Sequence, residues 1–140
     1  MSYTATTDFK VLLDEHETEA IRRDYEKDGV DKLKLGIEYA EKYVSDRLGQ
    51  KYDMATEYAK TGTARHLILI DIICKIAIWQ LCQVFPTVRL DGKRDVAFQT
   101  AMTDLKEAQK GNMLYDLPTI ETPSTTGLPQ YGADDNAIIY

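Results

Sequence analysis

The sequence predicts an all-α fold, a small helical bundle followed by an extended C-terminal arm. Apolar residues recur at helical spacing in three segments, about 30–52, 64–85 and 95–110. Prolines and glycines are concentrated after residue 111, where no helical period remains. We therefore assign residues 1–111 to the bundle and residues 112–140 to the arm. A chain of 140 residues has the length of one ordinary domain.

The segment 30–52 has one apolar and one charged face. Its apolar positions follow one another three or four residues apart: Val30, Leu33, Ile37, Ala40, Val44 and Leu48. The other face alternates in sign every four residues: Lys34, Glu38, Lys42 and Asp46. Such a ladder usually marks a solvated helix surface. The turn before the helix is assigned to Asp28 and Gly29.

The segment 64–85 is the most apolar part of the chain, and a run of about 19 residues is long enough to cross a membrane. It contains Asp71 and Lys75, however, which are costly at bilayer depth. Their spacing and order favour an ion pair on a helix surface. We therefore expect the central helix of a bundle and no membrane span.

The remaining segments are shorter. Residues 7–13 fit a short opening helix that turns three side chains inward: Phe9, Leu12 and Leu13. Residues 17–27 are weakly helical, and residues 53–63 are a loop with room for one helical turn. Thr61 or Thr63 is expected to cap the central helix. The segment 95–110 is expected to be a helix that ends at Gly111 or Asn112. It has one apolar face: Phe98, Ala101, Met102, Leu105 and Ala108.

Composition and motifs exclude several classes of function. The net charge of −6 argues against a dedicated nucleic-acid binder. Two cysteines are too few for a disulfide scaffold, and Cys74 and Cys82 are expected to be small apolar residues of the core. The N-terminus has no secretory signal, so an intracellular origin is expected. Without metal-ligand spacing, a phosphate-binding loop or a nucleophile motif, we expect no enzyme, metal or cofactor. His66 is expected to be a cap or interface residue.

Several exposed residue types are candidates for partner binding. Tyr39 and Tyr43 lie four residues apart and off the main apolar face, which fits an interface or partial burial within the chain equally well. Two basic pairs fit either a solvated surface or contact with an acidic face of a partner: Arg22-Arg23 and Lys93-Arg94. The last four residues are apolar, which indicates that the arm is held against the body or a neighbour.

The order of these features resembles one protein family. The chain opens Met1-Ser2-Tyr3-Thr4, an Asp-Gly turn leads into the second helix, and that helix ends Tyr43-Val44-Ser45-Asp46-Arg47-Leu48-Gly49-Gln50-Lys51-Tyr52. The apolar run 67–85 follows, and then a helix with Ala97, Leu105 and Gly111. This order is similar to that of the Mu-like head–tail connector (head-completion, or adaptor) proteins of tailed bacteriophages. The family's usual proline-rich segment before the central helix is absent, and Asp134-Asp135 stands where its arm is basic.

The resemblance implies a structural virion protein, made in the host cytoplasm and located in the neck between portal and tail. Copies are expected to form a ring of about twelve that docks on the portal protein and meets a downstream tail or neck protein. DNA only passes through the channel. The arm is expected to dock on the portal or an adjacent subunit, with Ile138, Ile139 and Tyr140 as anchors. The alternative is a small helical regulatory or adaptor protein that binds a cellular protein and is not virion-associated.

Overall fold

A computed structural model describes residues 3–114 and 116–120, and it confirms the all-α fold. Five α-helices follow one another along the chain: α1 (Glu15–Asp28), α2 (Lys32–Leu48), α3 (Met54–Tyr58), α4 (Leu67–Val84) and α5 (Gly92–Lys110). Two short 3-10 helices precede α1 and α4: Thr6–Phe9 and Gly62–Ala64. Within the described ranges, the only β-type pairing is a single bridge between Tyr52 and Thr119.

Helix α4 is the centre of the bundle, packed against both α2 and α5. Half of its residues are buried: Leu69, Ile70, Ile72, Ile73, Cys74, Ile76, Ala77, Ile78 and Leu81. Because α2 and α5 cover much of its surface, α4 has only a narrow polar stripe. On this stripe Asp71 and Lys75 form an ion pair of 2.8 Å. By length and composition alone α4 could cross a membrane, with a mean hydropathy of 1.9, and half of it is buried in the bundle. The prediction of a central helix is confirmed.

The predicted apolar face of α2 is confirmed from Leu33 to Leu48, whereas Val30 precedes the helix and is 41 % exposed. At Gly36 the backbone of α2 lies close to the backbone of α4. A Cβ atom at this position would lie 3.0 Å from the carbonyl oxygen of Ala77. The missing side chain therefore sets the spacing of the two helices. On the other side of α4, the face predicted for α5 packs against the core.

The limits predicted for three helices are wrong. Helix α2 ends at Leu48 rather than at 52, because the chain turns there and buries the Tyr52 ring. Helix α4 spans 67–84 rather than 64–85, and its cap is His66 rather than Thr61 or Thr63. Helix α5 begins at residue 92 rather than 95, because the Asp91 side chain accepts a hydrogen bond from a backbone amide of the first turn.

Helix α1 is longer and more regular than the weak helix predicted over 17–27. The Asp14 carboxylate accepts a hydrogen bond from the Glu17 amide (2.7 Å), and the Glu17 carboxylate accepts one from the Asp14 amide (3.2 Å). This capping box satisfies two amides of the first turn. Gly29 ends the helix with a φ of 74°, a left-handed conformation that favours glycine. Before α1, the predicted opening helix is a 3-10 turn whose Phe9 side chain is buried.

The described part of the predicted arm lies against the bundle. Leu114 and Leu117 are buried. The Asp53 amide donates a hydrogen bond to the Pro118 carbonyl oxygen (2.7 Å), and the Ile120 amide donates one to the carbonyl oxygen of Lys51 (3.2 Å). Residues 112–114 and 116–120 therefore form a segment, here called the arm root, that is fixed beside the end of α2.

Gly36→Val is expected to destabilise the fold by about 2 kcal/mol, because the added side chain must enter the tight α2–α4 crossing. Gly92→Ala is the matched control, because a Cβ there meets no atom within 4 Å. We expect it to change stability by less than about 0.5 kcal/mol. Chemical denaturation followed by circular dichroism measures both, and equal stability of the two variants would contradict the role given to Gly36.

Candidate partner-binding surfaces

Four side chains spaced four residues apart form a row on the surface of α2, here called the aromatic row: Leu35, Tyr39, Tyr43 and Arg47. Leu35 is 52 % exposed and Tyr39 42 % exposed. The Tyr39 ring stacks on that of Tyr43, with centroids 6.1 Å apart. The Arg47 guanidinium lies 4.6 Å from the centre of the Tyr43 ring and donates a 2.7 Å hydrogen bond to its hydroxyl. Tyr43 is partly buried against the core, and the other three side chains are exposed. The row is therefore largely exposed and already ordered by its own contacts.

The alternating charges predicted for α2 lie beside the aromatic row and are here called the charged row: Lys34, Glu38, Lys42 and Asp46. All four are exposed. Lys42 and Asp46 form an ion pair of 2.8 Å within the helix. Among the described residues, neither Lys34 nor Glu38 has an ion-pair partner. Together the two rows make up what we call the outer face of α2.

The tyrosines that follow α2 serve the fold instead. The Tyr52 hydroxyl lies within hydrogen-bond distance of the carbonyl oxygens of Ala108 (3.3 Å) and Met113 (3.2 Å). The Tyr58 hydroxyl donates a 2.7 Å hydrogen bond to the carbonyl oxygen of Glu41, and burial raises the pKa of this phenol. Of the tyrosines along and after α2, Tyr39 is thus the one that is clearly exposed.

Arg22 and Arg23 lie on the exposed side of α1. Arg22 contacts the carboxylates of both Glu19 and Glu26, one turn before and after it. Arg23 is the freer of the two, with a side chain 73 % exposed and 3.5 Å from the carboxylate of Glu19. Surface pairs of this kind contribute little to stability. Binding of a partner at these residues stays a prediction.

Arg94 makes its polar contacts within the chain, which neither interpretation of the Lys93-Arg94 pair predicted. Its guanidinium forms two 2.7 Å hydrogen bonds to the Glu17 carboxylate, whose side chain is 9 % exposed. It also donates to the carbonyl oxygens of Leu12 (2.8 Å) and Arg89 (2.9 Å). The hydrogen bonds from Arg94 lower the pKa of Glu17 and outweigh burial, which acts in the opposite direction. This contact, here called the clasp, joins α1, α5 and the turn before α1.

The N-terminal segment is held by a second set of polar contacts. The Tyr3 hydroxyl donates to the buried Glu57 carboxylate and accepts a 2.7 Å hydrogen bond from the His66 amide. Arg65 contacts both carboxylate oxygens of Asp8, at 2.7 and 3.2 Å. Burial would raise the pKa of Asp8, but the hydrogen bonds from Arg65 and the neighbouring backbone lower it. These contacts join the first residues of the chain to the start of α4.

His66 is the cap residue that the sequence predicted as one of two possibilities. Its Nδ1 accepts a hydrogen bond from the Leu69 amide (3.3 Å), while its Nε2 lies 2.6 Å from the Asp116 carboxylate in the arm root. Because Nδ1 accepts this hydrogen bond, the imidazole carries its proton on Nε2, and Nε2 is then the donor to Asp116. The predicted anchors Ile138, Ile139 and Tyr140 lie outside the described residues.

The described residues contain no group of three or more His, Cys, Asp or Glu side chains placed to hold a metal ion. Cys74 is buried, and this burial raises the pKa of its thiol to about 12. Cys82 is half-buried, and burial raises the pKa of its thiol as well. Both thiols are therefore protonated at neutral pH, as expected for core residues.

Comparison with known proteins gives no match, neither to a family model nor to a curated protein or a solved structure.

Arg94→Met is expected to destabilise the fold by about 3 kcal/mol at pH 7, because it leaves the Glu17 carboxylate buried without its cation. The double variant Glu17→Gln with Arg94→Met should be less affected. The folded-state pKa of Glu17 is below its ordinary value of 4.5. The clasp is therefore fully stabilising above that value and is lost as pH falls through the lowered one. Urea unfolding at pH 7 and near pH 3 measures this, and an equal loss at both would contradict it.

Proposed function

We propose that this protein is a head–tail connector subunit of a tailed bacteriophage. In this proposal about twelve copies form a ring that docks on the portal and extends the DNA channel towards a tail or neck protein. The observation that carries the proposal is the order of the segments that resemble the connector family. The segment 43–52 is the end of α2 with the turn that buries Tyr52. The run 67–85 is α4 with its C-cap residue Phe85, and Gly111 closes α5.

The charge of the chain is compatible with this role. A net charge of −6 gives a wall that repels phosphate, so DNA can slide through a channel rather than bind to it. The function we propose is mechanical and requires neither a catalytic group nor a cofactor. Its site of action is the neck of the virion.

The position of the arm root supports a contact between subunits or with the portal. Its last described residue, Ile120, is hydrogen-bonded to Lys51 beside the end of α2. The 20 residues from 121 to 140 can span up to about 70 Å, well beyond the length of any helix in the bundle. We propose that Ile138, Ile139 and Tyr140 are the anchors of that contact.

The second candidate is a small helical regulatory or adaptor protein that binds one cellular partner. The exposed outer face of α2, with Leu35 and Tyr39, favours it, since exposed aromatic side chains are common in protein interfaces. The two candidates differ in assembly: a connector forms large closed rings or binds a portal, whereas a regulator stays a monomer or a dimer.

The mass of the purified protein, alone and mixed with the portal protein of the same genome, tests the proposal. Native mass spectrometry or light scattering should give a ring of about twelve copies or a stoichiometric complex with the portal. A chain that stays a monomer or dimer and does not bind the portal would overturn the connector proposal.

Deletion of residues 133–140 is expected to leave a folded bundle, because every described core residue lies before this segment. Binding to the portal, measured by co-sedimentation, should fall at least tenfold because the apolar anchors are lost. Ile138→Ser with Ile139→Ser should reproduce the loss in the full-length chain. Ile138→Leu with Ile139→Leu is the matched control and should bind normally, and unchanged binding by the deletion would exclude the anchors.

A further inference from the structure

The order of charges along the charged row of α2 is antisymmetric, which solvation of a helix surface alone does not require. From N- to C-terminus the signs are plus, minus, plus, minus: Lys34, Glu38, Lys42 and Asp46. Read in the reverse direction, every sign is inverted. A second copy of α2 lying antiparallel therefore places an opposite charge at all four positions. A parallel copy in register places like charges at all four.

The aromatic row is centred at nearly the same height. The middle of the charged row is residue 40, and the middle of the aromatic row lies at 41, between Tyr39 and Tyr43. One residue along an α-helix is about 1.5 Å, so a single two-fold axis serves both rows. In such an antiparallel pair the tyrosines of the two copies would meet at the centre, and each Leu35 would lie at the height of the Arg47 stem of the other copy.

The contacts among the described residues leave this face open to a partner. Lys34 and Glu38 are exposed, and no ion pair to either is present among the described residues. Tyr39 and Leu35 are large apolar side chains that are 42 % and 52 % exposed. Tyr39 stacks on Tyr43, and Tyr43 accepts a hydrogen bond from Arg47. The row is therefore already ordered, and little side-chain entropy is lost on contact.

We propose that the outer face of α2 is a homodimer interface in which two copies pair antiparallel about a two-fold axis near residues 40 and 41. The interface is isologous, so each copy contributes the same residues. A contact made by one helix from each copy is small, and a dissociation constant in the micromolar range, about 1–100 µM, is expected. This proposal does not depend on the proposed function, because it concerns the free chain alone.

Charge-reversal variants test it by sedimentation equilibrium from about 1 µM to about 1 mM. Glu38→Lys with Asp46→Lys makes the row all positive, and Lys34→Glu with Lys42→Glu makes it all negative. Each variant alone should dimerise at least tenfold more weakly than the unmodified chain. An equimolar mixture of the two should form a heterodimer at least as tightly as the unmodified chain dimerises.

A fully exchanged variant distinguishes antiparallel from in-register parallel pairing. It carries four substitutions: Lys34→Glu, Glu38→Lys, Lys42→Glu and Asp46→Lys. It should form homodimers as the unmodified chain does, yet pair poorly with that chain, since their antiparallel rows then oppose like charges. Lys93→Glu with Lys106→Glu, on the exposed side of α5, is the matched control and should leave the dimer unchanged. Circular dichroism confirms the fold of each variant.

Three results would overturn the proposal: an unmodified chain that is monomeric up to about 1 mM, a dimer that persists in both same-sign variants, or efficient pairing of the fully exchanged variant with the unmodified chain. None of these excludes the connector proposal, which a stoichiometric complex with the portal would still support. Conversely, the chain could form a dimer with the predicted charge dependence and fail to bind the portal. That result would support the interface and exclude the connector function.

Discussion

The apolar character of α4 is the constraint on which the rest of the structure depends. An isolated helix of this composition would expose a large apolar surface to water, at a cost of about 25 cal/mol for each Å². One partner helix covers one face only, so the bundle needs α2 on one side and α5 on the other. Gly36 allows the first of these to approach closely, whereas Trp79 and Phe98 stack at the second seam with ring centroids 4.5 Å apart. The amphipathic patterns of α2 and α5 follow from this arrangement.

Polar contacts between distant parts of the chain then hold the segments outside the central core in place, namely α1, the N-terminal segment and the arm root. The clasp holds the start of α5 to α1, while Tyr3 and Asp8 attach the N-terminal segment at the entrance to α4. His66 stands between the two systems, capping α4 and contacting the arm root through Asp116. Each buried carboxylate has a donor, so these contacts specify how the segments dock rather than adding a large net stability. The N-terminal segment, through Tyr3, and the arm root, through Asp116, thus both contact His66 at the start of α4.

The helical core could be predicted because its signal is local and periodic, as in the 3–4 spacing from Leu33 to Leu48. The regularity of α1 was also present in the sequence, in the Asp14-x-x-Glu17 capping box, but few apolar residues accompany it. His66 as the cap could not be chosen over the nearby threonines, because its ring replaces a more common capping side chain. The clasp joins residues 77 positions apart, and no local pattern indicates such a contact. Among the candidate site residues, periodicity correctly placed Tyr39 off the core face, but it did not separate Arg94 from the exposed arginines of α1.

The outer face of α2 links the fold to the two proposed assemblies. A two-fold pair closes on itself, since each copy uses the same surface, and it cannot be extended into a ring. A ring needs two different surfaces on each copy, and the outer face is unavailable for either of them while the pair persists. If both proposals hold, the dimer is the state of the free chain, and binding to the portal must supply enough free energy to replace it. For a contact in the micromolar range that cost is about 6–8 kcal/mol per dimer at the standard state, which a portal contact of ordinary size can supply. The two assemblies are therefore compatible because the α2 pair is expected to be weak. In this combined proposal the pair keeps free chains from forming rings, and binding to the portal provides enough free energy to replace it.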